Sequence, residues 1–455
     1  MPNSFAYLVL GLWPVISLLL FRRLPVGRAL LASLMLGYMF LPPPPTAFDL
    51  PLVPVINKEN LPSLVALIAC VVLYGSQMHI LPRSRLAKAL LAVLVLSPIA
   101  TTLANLDPVF FGIIGLPALG PKDAFALVLN QIILVVPMIL AMNFLRTEED
   151  HRDVMLAMVF AGLLYSLFML IEIRLSPQLN IWIYGFFQHS FEQTMRAGGF
   201  RPIVFLYHGL WVAFFAMSAV VAAVILLRRD GKGNKLFYLL CAVYLGVVLI
   251  LCKSFASLAY ALLLVPLVLL FPVRMQIRVA MLFGILALCY PMIKSADLVP
   301  EQAIVERIAN FDPERSRSLQ FRLDNERVLV DRAFERPWFG WGSWGRNQIL
   351  DPITGVSQTV PDGRWVIVIG VFGWLGFLAE FGLLVMPLIL FWWVARGMPV
   401  RVPPITAGLA LLLGINLIDM LPNATLTPLT WLWAGALLGY GESFERKTHK
   451  LKSVM

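Results

Sequence analysis

Long apolar runs separated by short polar segments make up most of this 455-residue chain. A membrane-spanning helix needs about 20 mostly apolar residues. The run pattern therefore predicts an all-α polytopic membrane protein with twelve or thirteen spanning helices, the second and the last being short. The predicted spans are 4–21, 26–41, 63–80, 89–105, 124–145, 154–173, 203–227, 236–252, 257–272, 279–293, 366–394, 405–420 and 429–440.

The largest polar piece, 294–365, divides the spans of 1–293 from those of 366–440, and 441–455 forms a polar tail. Basic residues favour the cytoplasmic side of short loops. Of the 36 Lys and Arg residues, 20 lie in alternate loops, six lie in the remaining short loops and ten lie in 294–365. This alternation predicts an outside N-terminus, a large extracytoplasmic loop at 294–365 and a cytoplasmic C-terminus. The basic alternate loops are 22–28, 81–88, 146–153, 228–235, 272–278, 395–404 and 441–455.

Composition supports the same class of protein. Hydrophobic residues make up 59% of the chain and charged residues 14%, which excludes a soluble globular domain and a disordered chain. The net charge of +10 is explained by loop residues that set topology, so no nucleic-acid partner is expected. None of the four cysteines lies in 294–365, and we interpret them as small apolar packing residues rather than a disulfide framework.

Residues 314–336 within the large loop predict an amphipathic helix. Its apolar stripe is expected at Leu319, Leu323, Val330 and Phe334. Its arginines lie on other faces of the helix. Arg332 and Arg336 are separated by one helical turn, and like charges at this spacing do not stabilise an isolated helix. The arginines of this helix are therefore expected to find partners elsewhere in the protein or on a bound anion.

Three tryptophans alternate with three glycines directly after Pro337, in the string Trp338-Phe339-Gly340-Trp341-Gly342-Ser343-Trp344-Gly345-Arg346. Glycine allows sharp turns and close approach of the backbone to a ligand. Tryptophan suits either the membrane interface or the face of a sugar. Both interpretations stay open. The second makes Trp341 and Arg346 substrate-binding candidates.

Three motifs together resemble the O-antigen ligase/polymerase superfamily. The first combines Arg322-Leu323-Asp324-Asn325-Glu326-Arg327, the Pro337–Gly342 turn, and Asp362-Gly363-Arg364-Trp365 before a Gly-rich span. The second is Arg196-Ala197-Gly198-Gly199-Phe200-Arg201-Pro202 at the entry to span seven, and the third is Lys253-Ser254 at the entry to span nine. The resemblance covers about residues 190 to 390.

The resemblance implies a metal-independent, cofactor-free transferase at the outer face of the bacterial inner membrane. Members of this family take a glycan from an undecaprenyl-pyrophosphate carrier. Polymerases pass it to another carrier-linked repeat unit, whereas ligases pass it to the lipid A core. The expected partners are the lipid-linked glycan, the bilayer and other polysaccharide export proteins.

One departure from the family pattern bears on the choice between polymerase and ligase. Ligases of this family usually carry a histidine in the large loop near the next span. Here 294–365 contains no histidine, and Asp362 occupies that position. This favours a polymerase of O-antigen or exopolysaccharide repeat units, with a ligase as the alternative and a lipid-linked glycan flippase as a further one.

Candidate residues follow from the chemistry of the leaving group. Negative charge builds on the phosphate as the anomeric carbon–oxygen bond breaks, and arginine meets phosphate oxygens with a planar, always charged fork. Arg196, Arg201 and Arg322 are the candidates. Headgroup anchoring is the alternative for the first two, and a salt bridge within the loop is the alternative for Arg322.

The acceptor hydroxyl needs a base. Asp362 is ionised at neutral pH and can take the proton, although an Asp-Gly pair is also a common turn. His208, early in span seven, is the second catalytic candidate, and its alternative is a hydrogen-bonded structural residue. Glu172, Glu380 and Asp419 are carboxylates within or at the ends of spans. Such groups are costly in a membrane and mark function unless a neighbour pairs them, so Glu172 is a further substrate-binding candidate.

Overall fold

The structure is a computed structural model that describes residues 1–50, 54–196, 198–229, 234–296, 298–310, 312–397 and 402–452. Within these ranges the chain is almost entirely helical. The helices are α1 (Ser4–Arg23), α2 (Val26–Phe40), α3 (Leu61–Tyr74), α4 (Arg85–Leu103), α5 (Pro121–Phe144), α6 (Glu148–Leu175), α7 (Leu179–Tyr184), α8 (Gly209–Arg229), α9 (Lys235–Leu251), α10 (Phe255–Leu270), α11 (Val273–Ser295), α12 (Glu301–Ala309), α13 (Pro313–Phe334), α14 (Arg364–Gly397), α15 (Pro404–Asp419) and α16 (Pro428–Lys452). The strands are β1 (Val109–Phe111), β2 (Ile114–Leu116), β3 (Met195–Arg196) and β4 (Gly199–Phe200), paired antiparallel as β1–β2 and β3–β4.

Each predicted span falls on a helix. By length and composition, seven helices of the described chain can cross a membrane: α1, α4, α5, α6, α8, α11 and α14. Five further apolar helices are shorter, at 10–17 residues. The predicted span 203–227 starts late, at Gly209, because 203–208 forms turns in which Val204 has a φ of 55°. β-Branched residues rarely adopt that conformation.

The core of the bundle lies along α8, α15 and α16. Almost every residue of α15 is buried, including the polar Asn416 and Asp419. The outer helices are apolar on the side that faces away from the protein, as at Leu240 and Val247 of α9, which are 58% and 52% exposed. Exposed apolar faces of this extent are typical of helices that contact lipid.

Contacts between the connecting segments fall into two sets, one at each end of the bundle. The first set joins Asn3 to Ile183, Lys58 to Phe205, Thr101 to Phe339, Arg201 to Lys253, and Arg322 to Asn423. The second set joins Arg28 to Asp153, Arg83 to Glu442, Arg229 to Glu148, and Arg228 to Phe271. Each of these contacts joins two segments that the basic-residue count places on the same side.

The helix expected at 314–336 is present as α13, but its buried stripe differs from the prediction. Leu329 and Ala333 are the most deeply buried apolar residues, whereas Phe334 is 40% exposed. Successive helical residues are turned by about 100°, so burying Ala333 directs Phe334 away from the bundle. Two arginines of α13 pair with carboxylates of the same large loop, Arg327 with Glu301 at 3.3 Å and Arg322 with Asp362 at 3.5 Å. The salt bridge within the loop, named as the alternative for Arg322, is therefore present.

Helix α14, predicted as one span over 366–394, is broken at Gly373, whose φ and ψ are 67° and −168°. Across the break, the Arg364 guanidinium bonds to both oxygens of the Glu380 carboxylate, at 2.7 and 2.6 Å. Sixteen residues of straight helix would separate the two by about 24 Å. The chain therefore folds back at Gly373, and 364–372 lies beside 374–397.

The backbone of residues 337–342, which we call the Trp-Gly segment, packs into this break. The Trp374 amide donates to the Pro337 carbonyl at 2.7 Å, and the Trp341 amide donates to the Gly370 carbonyl at 2.8 Å. A Cβ on Gly373 would collide with the backbone of Trp338. The glycines thus serve close packing between two backbones, and the amide and carbonyl groups freed by the break are bonded within the protein.

Candidate functional site

Three arginines predicted from the sequence meet at one end of the bundle. The β3–β4 hairpin presents Arg196 on an exposed strand, and Arg201 follows the hairpin. Lys253, just before α10, donates from its ammonium to the Arg196 carbonyl at 3.1 Å, and its own carbonyl accepts from Arg201 at 3.3 Å. Arg322 of α13 lies close enough to Arg201 for the two charges to interact. We call Arg196, Arg201, Lys253 and Arg322 the cationic cluster.

Arg201, a member of this cluster, is buried close to other positive charges. Burial lowers the pKa of Arg201 to about 10, and the neighbouring charges of Arg196 and Arg322 add to the effect. Within the described residues no carboxylate forms an ion pair with Arg196 or Arg201, and the buried Nε of Arg201 has no hydrogen-bond partner. A buried donor without a partner is costly, and a bound anion would satisfy it.

Glu172 of α6 shapes the segment that carries Arg201 and His208. Its side chain is buried, and its two oxygens accept the amides of Ile203 and Val204 at 2.8 and 2.7 Å and that of Leu179 at 3.1 Å. Three backbone amides occupy most of the acceptor sites of a carboxylate. The geometry therefore gives Glu172 a positioning role. The substrate-binding role stays a sequence prediction.

A chain of hydrogen bonds holds Arg322 in place from the opposite side. Its Nη1 donates to Asn423 Oδ1 at 3.1 Å, and Asn423 Nδ2 donates to Asp419 at 3.1 Å. Asp419 also accepts from Thr425 at 2.7 Å. These bonds fix the guanidinium through the segment between α15 and α16.

Asp362 faces Arg322 at the mouth of a cavity of about 270 Å³. Both side chains line this cavity and are about one-third exposed. Burial raises the pKa of the Asp362 carboxyl above its ordinary value, and the charge of Arg322 partly opposes this. A carboxylate with a raised pKa is a stronger base than an ordinary aspartate, which suits a group that must take a proton.

His208 lies next to the cluster, but its electrostatics do not suit a base. Burial lowers the pKa of its imidazole to about 3, with repulsion from His189, Arg201, Arg322 and Arg196 adding to the effect. Its Nδ1 accepts the Leu210 amide at 2.9 Å. Since the neutral ring carries one proton, that proton is assigned to Nε2. In this arrangement His208 can donate a hydrogen bond to an anion but is a weak proton acceptor.

The other two predicted residues lie away from the cluster. Trp341 is 7% exposed, and the Cζ atoms of Arg332 and Arg336 lie 3.4 and 4.4 Å from the centre of its ring. Arg346 is 1% exposed and donates to the carbonyls of Trp341, Pro117 and Asp107. Both side chains hold the loop to the bundle. The exposed tryptophans of this segment are Trp338 and Trp344.

Sequence reasoning missed three charged residues near the site. Lys58 is buried just before α3, and its ammonium donates to the Phe205 carbonyl; burial lowers its pKa to about 7. Burial raises the pKa of the adjacent Glu59, with the charges of Lys58 and Arg364 opposing this. Arg364 could have been found from the sequence, because an intramembrane carboxylate such as Glu380 needs a cationic partner.

Comparison with known proteins gives no further identification. No protein-family model matches the chain, and a search of curated proteins finds no match.

Proposed function

We propose that this chain is a membrane glycosyltransferase that polymerises undecaprenyl-pyrophosphate-linked repeat units of a surface polysaccharide, such as O-antigen or exopolysaccharide. The observation that carries the proposal is the cationic cluster, in which the buried Arg201 has no carboxylate partner among the described residues and Arg322 pairs with Asp362 at the edge of a cavity. A diphosphate matches the charge and the planar donors of such a cluster.

In the proposed reaction, Asp362 takes the proton from an acceptor hydroxyl as that oxygen bonds to the anomeric carbon of the donor glycan. The bond between the anomeric carbon and the phosphate oxygen breaks, and its electron pair leaves on the undecaprenyl pyrophosphate. Arg196, Arg201 and Arg322 offset this growing negative charge, and Nε2–H of His208 adds a neutral donor. Fixed donors aimed at developing charge are the largest contribution in many enzymes.

The proposal places the protein in the bacterial inner membrane with twelve or thirteen spans, the segment 294–365 periplasmic and the C-terminus cytoplasmic. Two features support this sidedness: the alternation of basic residues and the loop contacts, which join only segments assigned to the same side. The lipid-linked glycan would reach the cluster from the outer leaflet. Other polysaccharide export proteins would receive the product.

One observation favours the ligase as a second candidate. The large loop has no histidine, yet His208, which comes from another segment, lies near enough to Arg322 for the Arg322 charge to disfavour protonation of its ring. The flippase is less favoured, although α14 is broken as transporter helices often are. The amides and carbonyls at this break bond to the loop backbone, whereas a transporter would use such groups for its cargo.

Reconstitution of the purified protein in liposomes with a lipid-pyrophosphate repeat unit tests the proposal. Longer carrier-linked chains are the expected product, and transfer should persist in EDTA. Transfer only to lipid A core would mean a ligase, and movement across the bilayer without a new glycosidic bond would mean a flippase. Activity lost in EDTA and restored by one metal ion would contradict the metal-independent mechanism.

A further inference from the structure

The cavity beside Asp362 has a second polar wall that the proposed reaction does not use. It lies under α13, between that helix and α10, α11, α14 and α15. Arg322 and Asp362 form one side, and Glu326, Tyr260 and Tyr290 contribute to the rest, among leucine and valine side chains. A mostly apolar wall with a few convergent polar groups is typical of a site for a small molecule.

Glu326 is held in a defined orientation. Lys294 of α11 lies 2.9 Å from its carboxylate, and the Tyr290 hydroxyl lies 3.5 Å from the same oxygen. The ion pair with Lys294 keeps a buried carboxylate next to the cavity, where it can accept hydrogen bonds. Tyr260 of α10 also lines the cavity.

We infer that this cavity binds the terminal sugar of the acceptor glycan; the inference rests on the proposed function. Carboxylates and phenols suit sugar hydroxyls, and the aliphatic side chains suit the apolar faces of a pyranose ring. Asp362 lines the cavity and pairs with Arg322 of the cationic cluster, with 3.5 Å between Arg322 Nε and Asp362 Oδ2. A hydroxyl of a sugar in the cavity would therefore lie beside the base, with the donor diphosphate on the far side of Arg322.

Two other occupants fit the lining less well. A phosphate group would meet the carboxylates of Asp362 and Glu326, with Arg322 as the single cation on the wall. A polyprenyl tail would remove water from those two carboxylates without offering a hydrogen bond, which is costly. The volume of about 270 Å³ lies near the lower end of small-molecule pockets, which fits one or two sugar rings better than a long lipid.

Site-specific labelling tests the assignment. Leu323 lines the cavity and Val328 lies on the exposed side of the same helix, so Leu323→Cys and its matched control Val328→Cys are compared in a Cys289→Ser background. The first probe is the saccharide freed by mild acid from the lipid-linked pool of cells that lack this protein. The other probes are inorganic pyrophosphate and undecaprenol.

At ten times its dissociation constant, the saccharide should slow maleimide labelling at position 323 about tenfold and leave position 328 unchanged. Protection by pyrophosphate or undecaprenol in place of the saccharide would overturn the assignment, as would labelling that none of the three changes. If Leu323→Cys fails to fold, Val360→Cys at the cavity rim replaces it. If the saccharide gives no protection while the protein still elongates chains, only the assignment of the cavity is wrong. If the protein does not elongate chains, the proposed function itself is wrong.

Discussion

Arg364 and Glu380 lie sixteen positions apart in α14 and form a two-bond ion pair with distances of 2.7 and 2.6 Å. The pair joins the two parts of α14 on either side of Gly373. It also sets the position of Asp362, two residues before Arg364. The Arg364 backbone amide also donates to the Met420 carbonyl at 2.9 Å. The site thus depends on a buried ion pair in the interior of the bundle.

Glu380→Ala should destabilise the protein by about 3 kcal/mol, because it leaves the guanidinium of Arg364 without its buried partner. Thermal unfolding in detergent measures the change. Asp153→Asn is the matched control, since it breaks the exposed pair with Arg28 and should destabilise the protein far less. Equal losses for the two variants would show that the Arg364–Glu380 pair does not hold the fold.

Gly373→Ala should release the Trp-Gly segment from the break in α14. A Cβ there would meet the Trp338 backbone. The conformation of Gly373, with φ 67° and ψ −168°, is essentially restricted to glycine and costs alanine about 1–3 kcal/mol in addition. Limited trypsin cleavage at Arg336 and Arg346 should become faster. Gly246→Ala, at an open position in α9, should leave the cleavage rate unchanged. Unchanged cleavage in Gly373→Ala would argue against the docking described for residues 337–342.

The apolar helices and the helix α13 could be predicted from the sequence, whereas the catalytic roles of Arg322 and Asp362 stay predictions. Long apolar runs indicate apolar helices directly, and a charged side chain in a loop needs a partner of opposite charge, a bound ion or solvent. The break at Gly373 could not be predicted, because its conformation depends on backbone contacts with Trp338, 35 positions earlier. The role of Arg346 could not be predicted either, because the sequence does not distinguish an arginine that donates to backbone carbonyls from one that binds phosphate.

The pH dependence of transfer should reflect the raised pKa of Asp362. Burial favours the neutral carboxyl, so the basic form is lost at a higher pH than for an ordinary aspartate. The rate should fall as the pH drops through this raised pKa, with the acid limb of the profile above the ordinary value of 3.8. Asp362→Asn should lower the rate by about 10²-fold or more and remove that limb. A retained acid limb in Asp362→Asn would assign the base to another group.

His208 should contribute a hydrogen bond and not a titrating base. Because burial and nearby cations lower its pKa to about 3, the ring is neutral throughout the working range. His208→Gln, which keeps an N–H donor, should retain more activity than His208→Ala, and neither should move the acid limb of the pH profile. Loss of the limb in both variants would contradict this role and favour His208 as the base.

The proposed function requires the cationic cluster to bind a lipid diphosphate. The most direct measurement is the affinity of the purified protein for undecaprenyl pyrophosphate, compared between the wild type, Arg322→Ala and the control Arg317→Ala. Arg317 lies exposed on the same helix, outside the cluster. Arg322→Ala should weaken binding of undecaprenyl pyrophosphate at least about tenfold, and its affinity should depend less on salt. Arg317→Ala should bind as the wild type does. Equal affinity of all three proteins would contradict binding by the cationic cluster.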